Sequence, residues 1–248
     1  MQNYKEFDFV ILIPVFNDDD KIGSLKNQLD YYLSTKEYFV CFVDDSPNEN
    51  TSLEIKKYFT KNFYILRRKK IENFSTRFYA SFEGFKWIIK NVTSKYVVEI
   101  DSDLSHHPKD IMKGVSLLEN TKCDLVIGSK YLKGSIVKNR HLFRVFISKF
   151  MTVVCKFFFG TKITDYTNTY RFYNYKLIEE FTKQKLIFKS PIGHLNNLLF
   201  IIRKKFLILE IPIEYIETNT NSTIKKSSLV RYLIEFFYCI LINKFRFK

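Results

Sequence analysis

The sequence predicts an α/β fold, one mostly parallel sheet flanked by helices with an amphipathic helix at the C-terminal end. Three observations carry this. Short apolar runs alternate with segments of helical spacing, each run stops at polar or acidic residues, and neither an internal repeat nor a low-complexity linker interrupts the alternation. A chain of 248 residues is long enough to bury one full core.

The elements follow in order. Phe9 to Pro14 is an apolar run ended by proline, as a buried parallel strand should be. Ile22, Leu25, Leu29 and Leu33 place a helix over about residues 19–34. A second strand runs from Tyr38 to Val43 and stops at Asp44-Asp45-Ser46-Pro47. Thr51 to Tyr58 is helical, and Phe63 to Leu66 is a third strand. An amphipathic helix from Phe78 to Ile89 precedes a fourth strand, Tyr96 to Ile100, which ends in Asp101-Ser102-Asp103. Pro108 to Leu118 is another helix and Asp124 to Ile127 another strand. The alternation is Rossmann-like, and in such sheets ligands lie beyond the carboxyl ends of the strands. Asn17 and Asp18, Asp44 and Asp45, and Asp101 and Asp103 all fall there.

Composition narrows the class. Hydrophobic residues make up 46% and charged residues 27%, which is globular. The net charge of +14 suggests an acidic partner such as a phosphorylated substrate, an anionic lipid or nucleic acid. A single alanine, Ala80, among many Lys, Asn, Ile, Phe and Tyr points also to a biased genome as a source of that charge. Cys41, Cys123, Cys155 and Cys239 form no CxxC pair and read as buried apolar residues in a reducing compartment. The polar Met1 to Asp8 leads straight into a strand without a signal peptide, and no apolar run reaches the ~18 residues of a membrane span.

Asp101 and Asp103 are two carboxylates at one strand end, and such oxygen ligands favour Mg²⁺ or Mn²⁺ over zinc. A metal there would bridge a diphosphate and neutralise its charge on leaving. Asp44-Asp45 can accept hydrogen bonds from a base or ribose, and Pro14 to Asp18 offers a ring and polar groups to a nucleoside. His106 and His107, just before Pro108, read as a loop and helix start.

These blocks resemble family 2 glycosyltransferases, above all the dolichol- and polyprenyl-phosphate mannosyl- or glucosyltransferases. Pro14-Val-Phe-Asn-Asp18 resembles their P-x-[YF]-N-[ED] opening, and Val43-Asp-Asp-Ser-Pro-Asn-Glu-Asn-Thr51 their VDD-x-SxDGT segment. Glu99-Ile-Asp-Ser-Asp-Leu-Ser-His-His-Pro108 is similar to EMDADLSHxP, and Ile127-Gly-Ser-Lys-Tyr131 to IGSRY. Asp165-Tyr-Thr-Asn-Thr-Tyr-Arg171 is similar to DxTSG[FY][RK], and Glu210-Ile-Pro212 to EVP. The resemblance implies a GT-A fold over residues 9–220, with 221–248 a basic amphipathic segment, and inverting transfer from a GDP- or UDP-linked sugar. It implies that Pro14, Phe16, Asp18, Val43 and Asp45 hold the nucleotide, with Asp101, Ser102 and Lys130 beside the sugar diphosphate. Asp101 and Asp103 would hold the metal, Ser105 adding a direct or water-mediated contact, and Asp103 is the first catalytic candidate. Lys130, in place of the usual arginine, keeps the charge but loses the bidentate fork.

The chain departs from the pattern at named places. Phe74-Ser-Thr-Arg77 replaces the glycine-rich G-x-G-x-A, and Thr169 stands where a glycine is usual. The arginine expected after Glu210-Ile-Pro212 is missing, Lys225-Lys226 restoring only part of the charge, and Asn196-Asn197 falls where a carboxylate is usual.

From Leu125 to Thr164 there are eight basic residues and no acidic one. Leu142 to Phe159 mixes Phe143, Phe146, Phe150 and Phe157 with cations, a basic amphipathic helix suited to an anionic membrane surface or, equally, to packing on the sheet. Leu229 to Lys248 repeats the pattern. The expected partners are therefore a nucleotide sugar, a polyprenyl phosphate and the inner face of a membrane, the protein being cytoplasmic and peripheral. Arg140, Arg144 and Lys225 are the candidates for gripping the acceptor phosphate. The alternative acceptor is a glycan hydroxyl in cell-surface polysaccharide or lipopolysaccharide assembly. That reaction needs a general base, for which Asp165 is the candidate. A receiver-like signalling module fails because the acidic pair follows the second strand. Nucleic-acid binding lacks any recognition motif.

Overall fold

The structure, a computed structural model, describes residues 6–68, 76–218 and 226–245. The strands and helices β1 (Phe7–Val15), α1 (Ile22–Tyr32), β2 (Tyr38–Asp44), α2 (Asn50–Tyr58), β3 (Phe63–Arg67), α3 (Arg77–Asn91) and β4 (Ser94–Glu99) alternate strictly. A 3₁₀ turn at Pro108–Asp110 opens α4 (Ile111–Thr121), followed by β5 (Leu125–Ser129), the short β6 (Ile136–Lys138) and the long α5 (Leu142–Phe159). The chain then runs through β7 (Arg171–Asn174), α6 (Tyr175–Thr182), α7 (Ile192–Arg203), β8 (Ile208–Pro212), β9 (Glu214–Ile216) and α8 (Lys226–Phe245).

Seven strands form one sheet in the order β3-β2-β1-β4-β7-β5-β8. Neighbours run parallel except at β7, which is antiparallel to both β4 and β5. β6 and β9 pair separately, in parallel. The continuous apolar runs of β1 and β2 follow from burial on both faces. Phe9, Ile11 and Ile13 point into a core with α1, α2 and α4, while Val10 and Leu12 point into one with α3, α6, α7 and α8. All four cysteines are free and buried in these cores, as expected.

Val43 belongs to the second core, fully buried and facing Gly84 of α3, where any side chain would strike it and Leu12. Its side chain packs in that core, between β2 and α3, where it positions the strand. Gly193 has a similar part in α7: a Cβ there would enter the Phe78 ring, so glycine alone lets the start of α7 close on α3. That approach brings His194 beside Glu99, whose Oε1 lies 3.8 Å from Nδ1.

α8 turns Phe236, Cys239 and Ile240 inward and leaves Val230, Ile234, Leu241 and Phe245 exposed. One face of α8 thus packs on the protein and the other is open. Among the described residues no helix is long and apolar enough to cross a membrane.

Candidate active site

The ends of β1, β2 and β4 are laced together by short polar side chains. Asn17, at φ 54°, aims its N–H at Ser46 Oγ (2.9 Å), and the Asp18 N–H donates to Thr51 Oγ1 (3.2 Å). Asp18 accepts from the Phe16 N–H (3.0 Å) and the Ser102 hydroxyl (2.7 Å), and pairs with Lys21 at 2.6 Å. Ser102 is therefore a tie between strand ends, while the Phe16 ring, 48% exposed beside it, is open to a ligand. Pro14 sits in register with Val43, one residue before β1 ends. Asp44 is wholly buried on Ser46 and Ser52, leaving Asp45 as the outer carboxylate. Asp45 is gripped by Arg68, whose guanidinium stacks 4.5 Å over Tyr79.

Asp101 and Asp103 open a tight turn in which Leu104 adopts φ 60°, a left-handed conformation uncommon away from glycine. Ser105 spans the pair: its N–H donates to Asp103 (3.0 Å) and its buried hydroxyl lies 3.5 Å from Asp101. That geometry suits orienting both carboxylates. Thr218 reaches over from the loop after β9 and donates to the other Asp103 oxygen at 2.8 Å. Burial works against ionising Asp103, yet the Ser105 and Thr218 donors hold its carboxyl below the usual range. Asp101 goes the other way. Burial pushes its carboxyl up to about 7, Asp103, Glu99 and Asp18 add to the push, and Arg77 offsets only part of it. His106 is buried against Tyr170, with Nε2 on Asn168 at 2.8 Å and Nδ1 3.1 Å from Asp101. Burial, Arg77 and Lys130 drive its pKa down to about 3, so the ring is neutral and positional. His107 caps the 3₁₀ turn by accepting the Lys109 N–H. Both histidines thus have the roles expected of them.

Lys130 and Asp165 form a buried pair 2.9 Å apart, the lysine side chain 4% exposed. Burial lowers Lys130 to about 8 despite Asp165. Asp165 also accepts the N–H groups of Lys130, Thr167 and Asn168 and the Thr167 hydroxyl. Glu210 in turn accepts the N–H groups of Thr164 and Asp165, which fixes the loop. Asp165 is fully buried with both oxygens engaged. An acceptor hydroxyl has no approach to it here, and the geometry argues against the general-base role.

Arg140 donates to the Tyr131 hydroxyl at 2.7 Å and lies 5.8 Å over the Tyr215 ring, which Lys130 Nζ also approaches at 5.2 Å. Arg144 pairs instead with Glu217. Arg140 and Lys130 thus share one aromatic wall, with Arg144 one step away, already partnered. Lys225 lies outside the described residues. Sequence reasoning did not pick out Arg68, Thr218, Tyr215 or Asn168, and treated Arg77 only as a departure. Arg68 follows directly on β3, so the doubled arginine at a strand end was a usable signal; the others are brought in by the fold.

Among the described residues no three His, Cys, Asp or Glu side chains group to hold a metal by themselves. Mg²⁺ and Mn²⁺ need fewer, because one or two carboxylates suffice when substrate phosphates complete the shell. The oxygen-only donor pair Asp101 and Asp103, side by side at one strand end, fits such an ion.

The architecture is that of the GT-A glycosyltransferases. The chain superposes with a TM-score of 0.68 on glucosyl-3-phosphoglycerate synthase from Mycobacterium tuberculosis, solved with Mn²⁺, uridine diphosphate and phosphoglyceric acid. The match covers 96% of this chain and 79% of that one at 11% identity, a likeness of fold. A second structure of that synthase, with Mg²⁺ and uridine diphosphate, gives 0.64 at 12% identity, covering 96% and 79%. The chain belongs to glycosyl transferase family 2, whose model matches residues 10–182. It is 23% identical over 225 residues to the polyprenol monophosphomannose synthase of Mycolicibacterium smegmatis, covering 90% of this chain and 82% of the relative. It is 26% identical over 226 residues to the dolichol-phosphate mannosyltransferase of Pyrococcus furiosus, covering 90% of this chain but only 61% of that longer protein.

Proposed function

We propose that this glycosyltransferase moves a hexose from a GDP- or UDP-linked sugar, with inversion, to a polyprenyl phosphate at a membrane surface. The observation that carries the choice of acceptor is the enclosure of Asp165. A hydroxyl acceptor needs a base, whereas a lipid phosphate is already anionic near neutral pH and needs none. The two relatives named above, both lipid-phosphate mannosyltransferases by name, support the same reading.

Phe16, Asp18 and Asp45 surround the nucleoside, with the Asp45–Arg68 pair offering both an acceptor and donors to the base. Asp103, held ionised, would be the principal ligand of a Mg²⁺ or Mn²⁺, which would neutralise the leaving diphosphate. Arg140, with Lys130 behind it, draws the acceptor phosphate toward the sugar. α5 begins two residues after Arg140 and exposes Leu142 (83%), Phe146 (68%) and Phe157 (83%) to the outside. With Arg144, Lys149 and Lys156 beside them, these residues form a face that rests on anionic headgroups and places the phosphate within reach of Arg140. On this reading the protein works at the inner, cytoplasmic face of the membrane in building the cell envelope.

The test is a panel of nucleotide sugars with Mn²⁺, scored for transfer to polyprenyl phosphate. Asp103→Ala should abolish transfer while circular dichroism stays unchanged. Transfer at the parental rate by Asp103→Ala in EDTA would remove the metal role. Transfer by the parental protein to a glycan hydroxyl, and none to the lipid, would remove the acceptor.

A further inference from the structure

Two departures from the family pattern meet beside the DSD turn. Arg77, the first residue of α3, sends Nη1 to the hydroxyl of Thr169, the residue standing in place of a glycine. From that anchor Nη2 lies 2.6 Å from Asp101 Oδ1 and 4.0 Å from Glu99 Oε1. Nε and Nη2 are buried and have no aligned hydrogen-bond acceptor, so the guanidinium is fixed by Thr169 and faces the carboxylates through charge alone.

The neighbouring acids are already provided for. Asp18 is paired with Lys21, and Glu99 accepts from the hydroxyls of Ser81 (2.6 Å) and Tyr173 (3.0 Å). Asp103 has the Ser105 and Thr218 donors but no cation in ion-pair distance among the described residues. Arg77 therefore divides the DSD pair, covering Asp101 and leaving Asp103 open.

We propose that Arg77 is a built-in counter-cation for Asp101, which competes with the divalent ion and keeps its affinity low until a nucleoside diphosphate arrives. This rests on the reading that a divalent ion works at this site. Two uncovered carboxylates would capture a divalent ion unaided. One covered carboxylate leaves the ion to enter together with the diphosphate, whose charge compensates for the guanidinium. Arg77 acts through Asp101 and is a positioning residue.

The experiment is a Mn²⁺ titration followed by electron paramagnetic resonance, on the full chain without nucleotide. Removing one positive charge a few ångströms from a divalent ion should tighten binding by about tenfold or more. Arg77→Ala should show that gain, and Arg77→Lys should fall between it and the parent. Adding Asp103→Asn to Arg77→Ala should erase the gain, which locates the ion. A folded Arg77→Ala binding Mn²⁺ no better than the parent overturns the proposal. If Arg77→Ala does not fold, Thr169→Val decides: a smaller tightening supports the proposal and none overturns it. Sugar transfer by the parent is scored separately. A parent that fails to transfer sugar condemns the functional reading, whatever the titration shows.

Discussion

Five donors converge on Asp165: the Lys130 ammonium and N–H, the Thr167 N–H and hydroxyl, and the Asn168 N–H. Asp165→Asn would leave Lys130 4% exposed and without its partner. Breaking a buried pair from one side costs about 3–5 kcal/mol. We expect a large fall in melting temperature, with transfer per folded molecule largely kept. A variant that melted like the parent but had lost transfer would restore Asp165 as a base. The contrast with Asp101 and Asp103 explains what a sequence discloses at this scale. Those carboxylates end an apolar run, and a strand end is visible in one dimension. Whether a carboxylate faces solvent or five donors depends on segments 35 residues away or in the next turn, and Asp165 reads alike in both cases. Arg77 was opaque for the same reason, since its partners come from β4 and the loop before β7.

At the scale of elements, legibility tracked period and punctuation. α5 was readable from Leu142 to Phe159 because cations interrupt an apolar pattern and Gly160, at φ 63°, stops it. β1, β2 and β4 were readable as apolar runs with acidic ends, and β3 as an apolar run before two arginines. α7 was not, because His194, Leu195, Leu198, Leu199 and Ile201 bury it on most sides and no polar face remains to show a period. β6 and β9, three residues each, are too short to carry any pattern. The exposed stripe on α5 gives the prediction at this scale. Replacing Phe146 and Phe157 with serine removes two large apolar side chains that face outward. Each is worth about 1.5–3 kcal/mol when fully buried. Flotation with anionic vesicles should fall by at least about tenfold, and the residual binding should weaken further with salt. The melting temperature should hold, since neither ring packs on the core. Undiminished flotation would move the membrane contact to α8 or elsewhere.

For the whole molecule, the mostly parallel sheet was foreseen, and the reversal at β7 was not. Residues 171–174 carry no sign of direction, which is imposed by the loops around α5 that bring the chain back between β4 and β5. The position of β7 has a consequence in time. β3, β2, β1 and β4 come from residues 7–99 and pair only with one another before β7 is added. β5 is finished by Ser129, yet both of its partners, β7 and β8, come at least 42 residues later in the chain. On a ribosome the first four strands can close as soon as they emerge, while β5 must wait with its edges unpaired. Refolding followed by pulsed hydrogen exchange should show the amides of β1 and β2 protected in an earlier phase than those of β5 and β8. A single common phase would mean that the sheet forms at once. The late half holds Lys130, Asp165 and the anchor of Arg77, so under the proposed function a nascent chain has its nucleotide cradle before it has anything to hold an acceptor.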